Sequence, residues 1–154
     1  MNSEPSSSRT RLTRPASPPS APVPPFPAEE VWNLYPESQV AFPPFEAVRY
    51  SEITALIQGI HRDHPEESEL SHFGSTAEGR TLWTLQLGRG PRRILVWCRQ
   101  HGDEPLCTAA LLNALNFLLS RSNHPVAQAI LDNATLLVLP LINPDGVQRF
   151  TRRN

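Results

Sequence analysis

The chain has 154 residues, a formal net charge of −1 and 39% hydrophobic residues. That allows one domain of ordinary size and argues against a nucleic-acid partner held through bulk charge. All 14 basic residues are arginine, which excludes a lysine nucleophile or Schiff base, and no stretch reaches the roughly 18 consecutive apolar residues of a membrane span, so no membrane partner is expected.

The 17 prolines are unevenly spread: 11 fall in the first 44 residues, and no glycine precedes Gly59. The composition divides the chain into a Pro/Ser-rich tail over 1–45 and a globular segment over 46–154. Ser6-Ser7-Ser8, Pro18-Pro19 and Pro22-Val23-Pro24-Pro25 bury too little apolar surface to offset the entropy of ordering. Residues 1–30 are therefore expected to lack regular structure and to have polyproline II character. Trp32, Leu34, Tyr35, Phe42 and Phe45, set between prolines, are expected to pack irregularly onto the domain. Arg9, Arg11 and Arg14 imitate the basic start of a secretory signal, but Pro and Ser follow them where an apolar run is required. Cys98 and Cys107 show neither metal-type spacing nor a wider disulfide framework, so they read as reduced and buried, and the protein as cytoplasmic.

Ile53, Leu56, Ile57 and Ile60 recur at i, i+3, i+4 and i+7, which predicts a helix over 51–62 with Ser51 as its cap. A turn-rich stretch follows. Thr81 to Leu87 alternates, with Trp83, Leu85 and Leu87 on one face, and predicts a half-buried strand. Ile94 to Cys98 is a continuous apolar run, predicted as a central strand buried on both faces. Pro105 suits the first turn of a helix over 105–119, with Leu111, Leu115, Leu118 and Leu119 on its apolar face. A third strand is predicted over 135–140, and Pro144-Asp145-Gly146 as a turn. Strand, helix, strand in that order gives an α/β fold with a βαβ unit.

In open α/β sheets, ligands gather beyond the carboxyl ends of the strands. Two polar clusters fall there: Arg99 to Pro105 after the central strand, and a second beginning at Asn143-Pro144-Asp145-Gly146. An edge strand or a helix at 94–98 would undo this placement of the first. His101 and Glu104, three apart, both carry groups suited to zinc, and Gly102 lets the backbone turn tightly between them. Asp103 reads as a helix-start charge or a support for His101. His61, His64, His72 and His124 read as surface histidines.

Gln100-His101-Gly102-Asp103-Glu104-Pro105 resembles the first zinc motif of the M14 zinc metallocarboxypeptidases. Tyr50-Ser51-Glu52-Ile53 resembles that family's opening helix, and Gly74-Ser75-Thr76-Ala77-Glu78-Gly79-Arg80 its Gly-x-Ser-x-Glu-Gly-Arg turn. Asn143-Pro144-Asp145-Gly146 matches its Asn-Pro-Asp-Gly loop, and Thr151-Arg152-Arg153-Asn154 resembles the Arg-x-Asn element after it. The resemblance implies a zinc-carboxypeptidase-like mixed/parallel sheet with flanking helices. It implies a Zn2+ cofactor with His101 and Glu104 as two of three protein ligands, and Arg152 as the arginine that polarises the scissile carbonyl. The implied substrate is a peptide with a free C-terminus.

The family's third ligand histidine, its glutamate base and its carboxylate-gripping Asn-Arg pair have no counterparts in these 154 residues. The expectation is therefore the N-terminal half of a catalytic domain, truncated and inactive alone. One alternative is an amidohydrolase like aspartoacylase or succinylglutamate desuccinylase, which shares a His-Gly-x-Glu motif; the Asn-Pro-Asp-Gly loop and the following arginine favour the peptidase. A second is a non-catalytic interaction protein that uses the proline-rich tail as a ligand.

Overall fold

A computed structural model describes residues 25–153. Its element order is α1 (Ala28–Leu34), two short 3-10 turns (Tyr35–Ser38 and Phe45–Ala47), α2 (Tyr50–Asp63), β1 (Ser68–Ser75), β2 (Thr81–Leu87), β3 (Arg92–Trp97), α3 (Pro105–Ser120), α4 (Pro125–Asn133), β4 (Ala134–Leu139) and α5 (Pro144–Arg149). The four strands form one mixed sheet in the order β1-β2-β4-β3. β1–β2 and β2–β4 are antiparallel, while β3–β4 is parallel, running from Arg92 opposite Ala134 to Trp97 opposite Leu139. The parallel pair continues past its formal end: Cys98 N–H donates to Leu139 O and Ile142 N–H to Cys98 O.

The core lies between the sheet and α2 and α3. Ile53, Ile57 and Ile60 are buried, as are Leu85, Leu87 and Val138 from the sheet and Leu112, Leu115 and Leu119 from α3. Each such aliphatic side chain contributes roughly 1.5–3 kcal/mol on burial. α3 is buried on two sides because residues 34–42 lie along it: Asn113 accepts from Val40 N–H and donates to Tyr35 Oη, and Asn116 donates to Ser38 O. Leu112 is buried on the same face as Leu115 and Leu119, and Phe117 is buried edge-on to His124, beside the expected Leu118, whereas Leu111 is only half-buried.

Several expectations need correction. Ala28–Leu34 is helical, although residues 1–30 read as irregular; Glu29 and Glu30 favour the helix N-terminus and Leu34 packs against the core. Residues 1–24 lie outside the described residues. Arg49, not Ser51, precedes α2, and its N–H donates to Glu52 Oε2 at 3.0 Å. The turn-rich stretch contains β1, hidden because its exposed Phe73 and buried Ser68 invert the usual alternation. Pro144-Asp145-Gly146 opens α5, capped by Asn143, whose Oδ1 accepts from Gly146 N–H at 2.8 Å. β3 is an edge strand among the described residues, with Ile94, Leu95 and Trp97 exposed by 44%, 54% and 52%, so it is neither central nor buried on both faces. Contrary to the expectation, an edge strand does not undo the placement of the first polar cluster: the loop still leaves the carboxyl end of a strand parallel to β4. Its position depends on β3 running parallel to β4, and edge placement does not change that direction.

Candidate active site

The loops after β3 and β4 lie against each other at the carboxyl edge of the parallel pair. Gly102 permits the approach: a Cβ there would stand 2.0 Å from the carbonyl of Gly146. Gly102 N–H donates to Thr151 O, Thr151 N–H to Gly146 O, and Asn143 Nδ2 to Gln100 O, each at 2.9 Å. Arg99 shapes the first loop from beneath. It adopts φ +60°, is 1% exposed, and its Nε and Nη2 both donate to Gly102 O, at 3.1 and 2.8 Å. Burial lowers its pKa from the ordinary value, and nearby Cys107, Asp103 and Glu104 oppose that shift.

On this scaffold three side chains converge. His101 Nδ1 lies 3.0 Å from Glu104 Oε2, Arg152 Nη1 donates to Glu104 Oε1 at 2.9 Å, and Arg152 Nη2 lies 3.1 Å from His101 Nδ1. The hydrogen bond to His101, and to a lesser degree the one from Arg152, holds the Glu104 carboxyl below its ordinary pKa. Asp103 Oδ1 is 3.6 Å from Arg152 Nη1 and is buried without a hydrogen-bond partner, so Asp103 faces the arginine rather than supporting His101.

An imidazole nitrogen and a carboxylate oxygen at this separation suit one divalent metal. Two donors at zinc bond lengths of about 2.0–2.1 Å in tetrahedral geometry stand roughly 3.3 Å apart. Among the described residues no group of three or more His, Cys, Asp and Glu side chains is placed to hold a metal, so the fit is to two donors. The other histidines lie elsewhere. His61 bonds Ser68, His64 ends α2, and His72 is exposed on β1. His124 is not a surface histidine: its side chain is 8% exposed, stands edge-on to Phe117, caps α4 through Val126 N–H and meets Glu30. The cysteines are less buried than expected, Cys98 half-buried and Cys107 exposed.

Sequence reading passed over the clamp behind the second loop. Asp145, 6% exposed, accepts from Thr76 Oγ1 at 2.8 Å and Arg80 Nη1 at 2.7 Å. Arg80 also pairs with Glu78, which in turn pairs with Arg149. The β1–β2 turn thereby grips the loop that leads to Arg152. The available signal was the opposite charge of Arg80 and Asp145 inside two motifs already singled out.

The chain thus presents a mixed α/β sheet with a histidine–carboxylate pair beyond its parallel strands, faced by an arginine. The family model for Peptidase_M14, zinc carboxypeptidase, matches residues 53–154, and the chain belongs to that family. The chain is 27% identical over 113 residues to carboxypeptidase D of Mus musculus, a match covering 68% of this chain and 8% of that protein. It is 32% identical over 100 residues to carboxypeptidase B of Astacus astacus, covering 63% and 32%. The fold matches a metallo-carboxypeptidase of Burkholderia cenocepacia with a TM-score of 0.61 at 22% identity, over 68% of this chain and 29% of the other. It also matches carboxypeptidase A of Helicoverpa armigera with a TM-score of 0.60 at 20% identity, over 82% and 36%. The chain thus spans a third or less of the two curated relatives named.

Proposed function

We propose that this chain supplies the first two zinc donors, His101 and Glu104, and the carbonyl-polarising arginine, Arg152, of a metallocarboxypeptidase that cleaves the C-terminal peptide bond of a peptide. The convergence of these three side chains, from two loops 48 residues apart, carries the reading. Zinc held there would polarise the scissile carbonyl and acidify a bound water. The chain's own residues position these groups. Arg99 fixes the turn that presents His101 and Glu104. Arg152 sets a guanidinium beside them, placed to stabilise negative charge as it develops on the carbonyl oxygen. The family membership and the Asn143-Pro144-Asp145-Gly146 loop support a peptidase over an amidohydrolase.

We further infer that the 154 residues by themselves bind zinc weakly and do not turn over substrate. A catalytic zinc site takes three protein ligands and an open position. A water nucleophile also needs a base, and Glu104 is already engaged by His101 and Arg152. The test is equilibrium dialysis of the purified chain against zinc, with hydrolysis of a blocked dipeptide bearing a free carboxylate. Weak zinc binding that H101A or E104A abolishes, with no hydrolysis, is expected. Zinc binding indifferent to both substitutions would remove the site. One tightly held zinc with chelator-sensitive turnover would overturn the inactivity.

A further inference from the structure

Cys98 and Cys107 stand at the two ends of the loop that carries His101 and Glu104. Cys98 directly follows β3, and its main chain is pinned to β4 through Leu139 O and Ile142 N–H. Cys107 lies in the first turn of α3. The Cys98 thiol donates to Cys107 O at 3.4 Å, so its sulfur rests against the partner's main chain. The Cys107 thiol donates to Glu104 O at 3.2 Å. The strand and the helix, not the loop, set this approach. Neither sulfur has a part in the proposed hydrolysis.

We propose that Cys98 and Cys107 are an oxidisable dithiol, a modification site at which a peroxide closes a disulfide across the metal-motif loop. The exposed Cys107 is the first point of attack. Its thiolate displaces hydroxide from the peroxide O–O bond and becomes a sulfenic acid. The Cys98 sulfur then attacks that sulfur, the S–O bond breaks and water leaves. In sum, two thiols and one hydrogen peroxide give one disulfide and two waters, and an external thiol reverses the step. Cys98, half-buried and with its sulfur against Cys107, is shielded from the peroxide and placed for the second step. Closure turns the Cys107 sulfur away from Glu104 O and ties the first turn of α3 to the end of β3, reshaping the loop between them.

The test reads sulfur chemistry, so it stands or falls separately from zinc binding. Trypsin cuts after Arg93, Arg99 and Arg121, which places Cys98 and Cys107 on separate peptides, Ile94–Arg99 and Gln100–Arg121. Monomeric chain treated with hydrogen peroxide and then alkylated should yield these two peptides joined and separable by dithiothreitol. The link should form several-fold faster in the native chain than in urea, and the amide resonances of Gly102 and Glu104 should shift with it. The C98S variant should instead stop at sulfenic or sulfinic acid on Cys107. Unmodified thiols, over-oxidation of Cys107 beside a free Cys98, disulfides only between chains, or equal rates in urea would each overturn the proposal.

Discussion

Arg152 donates to Glu104 Oε1 at 2.9 Å across 48 residues of chain, and its other guanidinium nitrogen lies 3.1 Å from His101 Nδ1. One cation thus engages both candidate zinc donors. A cation beside a dication is repelled, and at a side chain 57% exposed the solvent softens the effect. R152Q should therefore raise zinc affinity, by about threefold to tenfold, corresponding to roughly 0.7–1.4 kcal/mol. The gain should shrink as salt rises. Competition with a chromophoric chelator measures it, and a fall in affinity would mean that Arg152 chiefly orients the donors.

Gly102 sets how closely the two loops can meet. An alanine Cβ would stand 2.0 Å from main-chain atoms of Gly146, which no rotamer change relieves. G102A should destabilise the chain by at least about 1–3 kcal/mol in urea denaturation and weaken zinc binding at the same time. Gly59 is the control: within α2, its added Cβ meets only the Arg62 side chain at 3.5 Å. G59A should stabilise by roughly 0.5–1 kcal/mol. A neutral G102A would show that the loops separate freely.

The elements with a clear period were legible in the sequence. Ile53, Ile57 and Ile60 mark α2, and Trp83, Leu85 and Leu87 mark β2, because one face of each meets the core. The elements that were missed lack that contrast. β1 exposes Phe73 and buries Ser68, and α1 buries no residue fully. β3 misled for a different reason. An apolar run states that a strand suits burial, but not which neighbours cover it. At the site, His101, Glu104 and Arg152 could be named from motif and position. Arg99 could not, because nothing local distinguishes a buried arginine with φ +60° from an exposed one.

Glu52 provides a pH test remote from the site. Its carboxyl is held below the ordinary 4.5 first by its own backbone N–H, with Ser51 and the Arg49 N–H adding to this against desolvation. A depressed folded-state pKa contributes stability that is present above the unfolded value and lost as pH falls through the folded one. The start of α2 should therefore loosen below about pH 4.5. An NMR titration of Glu52 should give a midpoint under that of an unstructured peptide. E52Q should flatten the acid-side loss of stability, and an unshifted midpoint would refute the capping role.

The clamp on Asp145 should matter more to stability than any surface ion pair among the described residues. Asp145 is 6% exposed and takes its hydrogen bonds from Thr76 and Arg80, residues 65 or more positions away. R80A would leave this buried carboxylate with one hydroxyl donor. Breaking a buried pair from one side costs more than the pair contributes, because the remaining charge keeps its desolvation penalty. Arg80 is 23% exposed, which places the cost near the lower end, about 2–3 kcal/mol. D145N removes the charge but keeps the shape, and should cost less than R80A. The double variant should then cost less than the sum of the singles, with a coupling of about 1 kcal/mol or more. Urea denaturation of the four proteins measures it. Because Asp145 holds the loop that leads to Arg152, R80A should also disorder the Arg152 guanidinium resonances seen by NMR. Additive energies, or an unmoved Arg152 signal, would show that the β1–β2 turn rests against the site without positioning it.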